Sequence, residues 1–145
     1  MPKTSNSKPH NSNEPLIPEE ISHEYLRLRN ENGIVASKVF YFKHIMPLLR
    51  PWLEGQEDNL KLRERKYSIL VSLMGYSPET TVHSTIILRP QKLIVVYNED
   101  VKASAEPAIN YLLSEKIITA FDLEMLPIEA FNPVNIYDQI LAKIP

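Results

Sequence analysis

From Tyr67 onward the chain alternates between short apolar runs rich in β-branched residues and segments of helical periodicity, and this alternation restricts the fold more than any other feature. Residues 67–74 (YSILVSLM), closed by Gly75, and residues 93–97 (LIVVY), closed by Asn98-Glu99-Asp100, read as strands covered on both faces. Between them a helix opens with Ser77 as N-cap and Pro78 at the first helical position, turns Val82, Thr85, Ile86 and Leu88 inward, and stops at Pro90. Residues 103–118 repeat the theme with Ile109, Leu112 and Leu113. Residues 121–126 read as a third strand at a sheet edge, with Phe121, Leu123 and Met125 inward and Asp122 and Glu124 toward solvent. Pro133, Ile136, Tyr137, Ile140, Leu141 and Ile144 outline a last helix, with Tyr137 and Phe131 read as core. Strand and helix in threefold alternation is the pattern of right-handed parallel crossovers, so residues 67–145 are expected to form an α/β, Rossmann-like three-layer unit with a short parallel sheet.

A helical N-terminal segment is expected to precede it. Residues 1–18 set Pro2, Pro9, Pro15 and Pro18 among Ser, Asn, Lys and Thr, too few apolar groups to offset the entropy of ordering, and read as a disordered tail. Residues 19–66 open with Ile21, Tyr25 and Leu28 at helical spacing, Glu19 and Glu20 in the first turn and Gly33 as the stop. The apolar stretch from Ile34 to Met46 reads as a second helix, although residues 39–42 also suit a short strand. Pro47 or Pro51 ends, kinks or restarts it before Trp52. Residues 57–66 are a charged join.

Several function classes fall away. With only Gly33, Gly55 and Gly75, neither a GxGxxG dinucleotide turn nor a GxxxxGK[ST] phosphate loop can be built. The chain has no cysteine, which removes disulfides, thiolate nucleophiles and Cys-ligated metals. His10, His23, His44 and His83 are scattered without metal-ligand spacing. A net charge of −2 lacks the excess of a general nucleic-acid binder, and the basic run Lys61, Arg63, Arg65, Lys66 is interleaved with Glu57, Asp58 and Glu64. No apolar run approaches the roughly 20 residues that span a bilayer, so a soluble, cytoplasmic chain with no membrane partner is expected. Residues 67–145 hold five Lys and Arg against nine Asp and Glu, so an anion there must be held by backbone amides and hydroxyls.

In an open parallel sheet, ligands bind beyond the carboxyl ends of the strands. Residues 74–81 (MGYSPETT) fall there: Gly75 permits a tight turn and close approach, Ser77, Thr80 and Thr81 offer hydroxyls, and Tyr76 offers a ring to stack on a base. The same residues also suit a plain turn, with Ser77 capping and Tyr76 packing.

The stretch YSILVSLMGYSPETTVHSTIILRPQKLIVVYNED, with the later FNPVNIYDQILAKI, resembles the CRISPR-associated Rossmann-fold (CARF) domains, over roughly half of the chain. There a strand ends in Gly, a Ser/Thr-bearing turn opens a helix, and LRP-x-K leads into a hydrophobic strand. The resemblance implies a sensor module that binds a cyclic oligoadenylate second messenger, as a homodimer, to regulate an effector in antiviral defence. It places Gly75, Tyr76, Ser77 and Thr80 against the ligand and Asn98 and Glu99 at the second wall of the crevice, with no catalytic residue, cofactor or metal. Further strands and a second Gly-Thr turn, usual in these domains, have no counterpart before Pro145, so the unit is expected to be partial, with the first strand exposed at an edge: a truncated product, a fragment, or a chain that needs a homodimer or other partner to supply the missing half of the sheet. A metal-independent ring nuclease, with His83 placed to assist cleavage of a bound ring, and a DNA-binding regulator built on the N-terminal helices are the alternatives. For nuclease effectors, no His follows an Arg at the spacing of about four to six residues that pairs a cation with a general acid/base, and Asp58 with Glu64 and Lys66 is the one look-alike of a metal-dependent site.

Overall fold

The computed structural model describes residues 16–56, 67–128 and 133–144. Most of the expected tail, the charged join with Asp58, Glu64 and Lys66, and Phe131 lie outside the described residues. The chain is α/β and Rossmann-like. Strands β1 (Ile69–Met74), β2 (Lys92–Asn98) and β3 (Leu123–Ile128) form a three-stranded parallel sheet in the order β1-β2-β3. Before them run α1 (Glu19–Asn32), α2 (Ile34–Phe40) and α3 (Met46–Glu54). Helix α4 (Glu79–Leu88) joins β1 to β2, α5 (Lys102–Ser114) joins β2 to β3, and α6 (Pro133–Lys143) follows β3.

Residues 93–97 of β2 are buried throughout, as an uninterrupted apolar run in a central strand must be. Its alternation divides the core. Leu93, Val95 and Tyr97 pack with Val82 and Ile86 of α4 and Ala105, Ala108 and Leu112 of α5, whereas Ile94 and Val96 meet Leu126 of β3 and Ile136 and Ile140 of α6 on the opposite face. The layers are therefore α4 and α5, then the sheet, then α6. The N-terminal helices make a further layer outside α4 and α5, where Phe42, Met46 and Leu53 join the same core as Leu93 and Val95.

Residues 39–42 are helical. The π-turn Tyr41–Ile45 links α2 to α3 and closes with the Met46 N–H on the Tyr41 carbonyl. Pro47 has no N–H for the carbonyl four residues back and its ring crowds that carbonyl, so a widened turn lets one helical path continue past it.

Four expectations are corrected. Phe121 lies in the turn before β3 and is 96% exposed, so it does not face inward. Glu124 turns toward α6 and pairs with Lys143 at 2.8 Å. Tyr137, Leu141 and Ile144 are exposed, because only the Ile136 and Ile140 stripe of α6 reaches the sheet. Nor is β1 covered on both faces: Leu73 is 72% exposed on the α6 side.

The two kinds of position differ in cost. Leu112→Ala, at a fully buried site, is expected to destabilise the chain by about 2–5 kcal/mol. Phe121→Ala is expected to change stability by less than about 0.5 kcal/mol. Urea unfolding midpoints of the two variants check both.

Candidate ligand-binding crevice

The parallel register sets Met74 opposite Tyr97 and Asn98 opposite Ile128, so the turns after β1 and β2 emerge side by side, about 4.8 Å apart in the sheet direction. Gly75, Tyr76, Ser77 and Thr80 come from the first turn and the start of α4, and Asn98 and Glu99 from the second. All six expected residues therefore share the carboxyl end of the sheet. The ring of Tyr76 is 61% exposed there.

The local chemistry departs from the expected cradle. Gly75 has no left-handed φ, and a Cβ built on it meets nothing within 4 Å, so the position offers open space rather than a turn that only glycine can make. Helix α4 is preceded at its N-cap by Pro78, and Ser77 does not cap it with its hydroxyl. Instead the Ser77 carbonyl accepts the Thr80 N–H at 3.3 Å and the Thr80 hydroxyl at 2.9 Å, while the Thr81 N–H goes to the Pro78 carbonyl. Thr81 is buried, and its hydroxyl is 2.7 Å from that of Ser72 in β1, so it is withdrawn from any ligand. The Thr80 and Thr81 amides are thus taken, and the N–H groups of Gly75, Tyr76, Ser77 and Glu79 are the ones left for an anion. In the second turn the Asn98 side-chain oxygen accepts the Asp100 N–H at 3.0 Å, which fixes the turn.

Sequence reading did not anticipate a buried polar cluster beneath α4. Lys38 of α2, its side chain 6% exposed, pairs with Glu79 of α4 at 2.8 Å and reaches the Tyr25 hydroxyl at 3.4 Å. The second oxygen of Glu79 is buried without a hydrogen-bond partner. Four residues along α4, His83 Nε2 lies 2.7 Å from the Tyr41 hydroxyl. Burial, with the Glu79 charge nearby, raises the Tyr41 pKa so that the phenol stays protonated, and burial holds His83 below the ordinary histidine value despite the opposing pull of Glu79. His83 thus faces the N-terminal helices and not the crevice, away from any ring it was expected to help cleave. The one clue in the sequence is a lysine inside the apolar run IVASKVF.

The crevice is acidic. Glu99 and Asp100 are exposed beside it, and Lys38, the nearest buried cation, is spent on Glu79. Two clefts lie elsewhere: one of about 420 Å³ between Arg50, Thr85, Arg89 and Ile117, and another of similar volume between α2 and α5 at Val39, Phe42 and Tyr111. Among the described residues, no three His, Asp or Glu side chains converge as a metal site requires, and no helix is long and apolar enough to cross a membrane. The chain matches no protein-family model, no curated protein and no solved structure.

Removing one partner of the Lys38–Glu79 pair leaves an uncompensated buried charge. Lys38→Met is expected to cost about 3–5 kcal/mol, and the double variant Lys38→Met, Glu79→Leu to recover most of it; denaturant titration of the three proteins reads the difference. For His83 the folded pKa lies below the unfolded one, so the unfolded chain takes up the proton first as pH falls. Its contribution to stability is complete above the ordinary value of 6.5 and declines below it. The slope of stability against pH between 6.5 and 5 is expected to flatten in His83→Gln, measured as thermal midpoints across that range.

Proposed function

We propose that the chain is a CARF-like sensor module that takes a cyclic oligoadenylate at the carboxyl end of its sheet and passes the binding event to its N-terminal helices. The observation that carries the reading is the pairing of two open turns, one presenting exposed Tyr76 and the other Asn98 and Glu99, at the single edge of a parallel sheet where such folds take ligands. Tyr76 stacks on an adenine face. The N–H groups of Tyr76, Ser77 and Glu79 meet a phosphate at the positive end of α4. An acidic residue just past the second strand suits a ribose hydroxyl or the adenine amino group, both donors, so Glu99 reads the nucleoside and not its phosphate. Glu79 opens the helix under the phosphate and is ion-paired to Lys38 of α2, which gives a direct mechanical link from the crevice to the N-terminal layer.

Calorimetry with cyclic tetra- and hexa-adenylate tests this. Binding is expected, with Tyr76→Ala weakening it by roughly tenfold or more, the loss of about 1–3 kcal/mol of base stacking. Ser77→Ala is expected to weaken it less, since the amide does most of the work. The ligand is expected to be recovered intact; linear products would make the chain a ring nuclease, and no binding, or binding indifferent to Tyr76, would reject the site.

A further inference from the structure

Helix α1 is held loosely. None of its 14 residues is buried, and none of its side chains joins either apolar core. Ile21, Tyr25 and Leu28, its apolar stripe, are each only partly covered, and Leu26 is exposed. Its charged side chains pair with one another, Glu24 and Glu31 with Arg27 and Glu19 with His23. Among the described residues no ion pair leaves the helix, and only Tyr25 makes a polar or ring contact beyond it. Lys38 Nζ of α2 lies 3.4 Å from the Tyr25 hydroxyl, and the rings of Tyr25 and Tyr41 meet edge-on with centroids 6.1 Å apart.

The joint between α1 and α2 is one residue, Gly33, at φ 90° and ψ 178°. That region of backbone space is open to glycine and disfavoured for every residue with a Cβ. A Cβ built there meets nothing within 4 Å, so the restriction is conformational and not one of room. Beyond the joint the chain is fixed. Phe42, Met46 and Leu53 hold the path from α2 through α3 in the core that contains Leu93 and Val95.

We infer that α1 is a hinged strap, which lifts about Gly33 while α2, α3 and the sheet stay in place, and which in its closed position seals the Lys38–Glu79 pair from water. A free helix of this length is marginal even with its internal ion pairs, so the lifted strap frays and its amides exchange with solvent. When the strap is closed, Tyr25 covers Lys38, whose Nζ reaches Glu79 at 2.8 Å on its other side. Lifting removes that cover, and water around Lys38 weakens its attraction for Glu79, the first residue of α4. The strap therefore sets how firmly the start of α4 is tied to the N-terminal layer, and by linkage whatever moves the start of α4 shifts the strap in turn. The inference stands on the packing of α1 and holds whether or not the crevice takes a nucleotide.

Hydrogen exchange of the full chain, read by mass spectrometry, is expected to show residues 19–32 protected but exchanging roughly tenfold or more faster than α4 and α5. Acetylation by a water-soluble succinimidyl ester is expected to be slow at buried Lys38 and fast at exposed Lys43. Gly33→Ala strains only the closed position, and Tyr25→Ala removes the cover. Each is expected to raise both exchange in residues 19–32 and acetylation of Lys38 roughly threefold or more, with α4, α5 and Lys43 unchanged. Protection of residues 19–32 equal to that of α4 and α5, or absent altogether, would overturn the proposal. So would Lys38 acetylation indifferent to both variants, or variants that loosen the whole chain evenly.

Discussion

The structure depends on β2 being paired on both sides and buried on both faces. Five consecutive apolar residues, 93–97, can be desolvated only if every backbone group finds a ladder partner and each face finds a helix, and β1, β3, α4, α5 and α6 are the elements that meet those demands. The crevice is a by-product of the same arrangement. Parallel strands in register must release their chains at one edge, and the two turns meet there because Met74 and Tyr97 are partners in the ladder.

The sheet unit was legible in the sequence because its signals are local. A run such as LIVVY bounded by turn residues, or Val82 and Ile86 at helical spacing, reports burial without knowledge of any distant residue. What escaped is non-local or energetically fine. The inward face of α6 is ambiguous in sequence, since Ile136 and Ile140 form one apolar stripe and Val134, Tyr137 and Leu141 an adjoining one, and only the position of the sheet decides between them. The Lys38–Glu79 pair joins residues far apart in the chain, and no periodicity anticipates it. At the site itself, strand order places residues 74–81 at the carboxyl end of the sheet, and the resemblance adds Asn98 and Glu99 there. The hydrogen bonding of the turn is not legible, because whether Ser77 caps with its hydroxyl or its carbonyl is settled by a shift of one residue in the helix start.

Charge gives the crevice its character. An ordinary phosphate site surrounds its helix N-terminus with cations, yet here the first helical residue is Glu79, neutralised from below, and Glu99 and Asp100 flank the opening. Such a site gains little from Coulomb attraction, so a phosphate there would rest on backbone amides and discrimination would fall to base and sugar.

The sharing of one core between the N-terminal helices and the sheet has a consequence during synthesis. Phe42, Met46 and Leu53 leave the ribosome well before Val82, Leu93 and Leu112, the residues with which they form that core. Until α4 and α5 have been translated, this early apolar face has nothing to settle on, so the chain's first third is the stretch most in need of a chaperone while it waits.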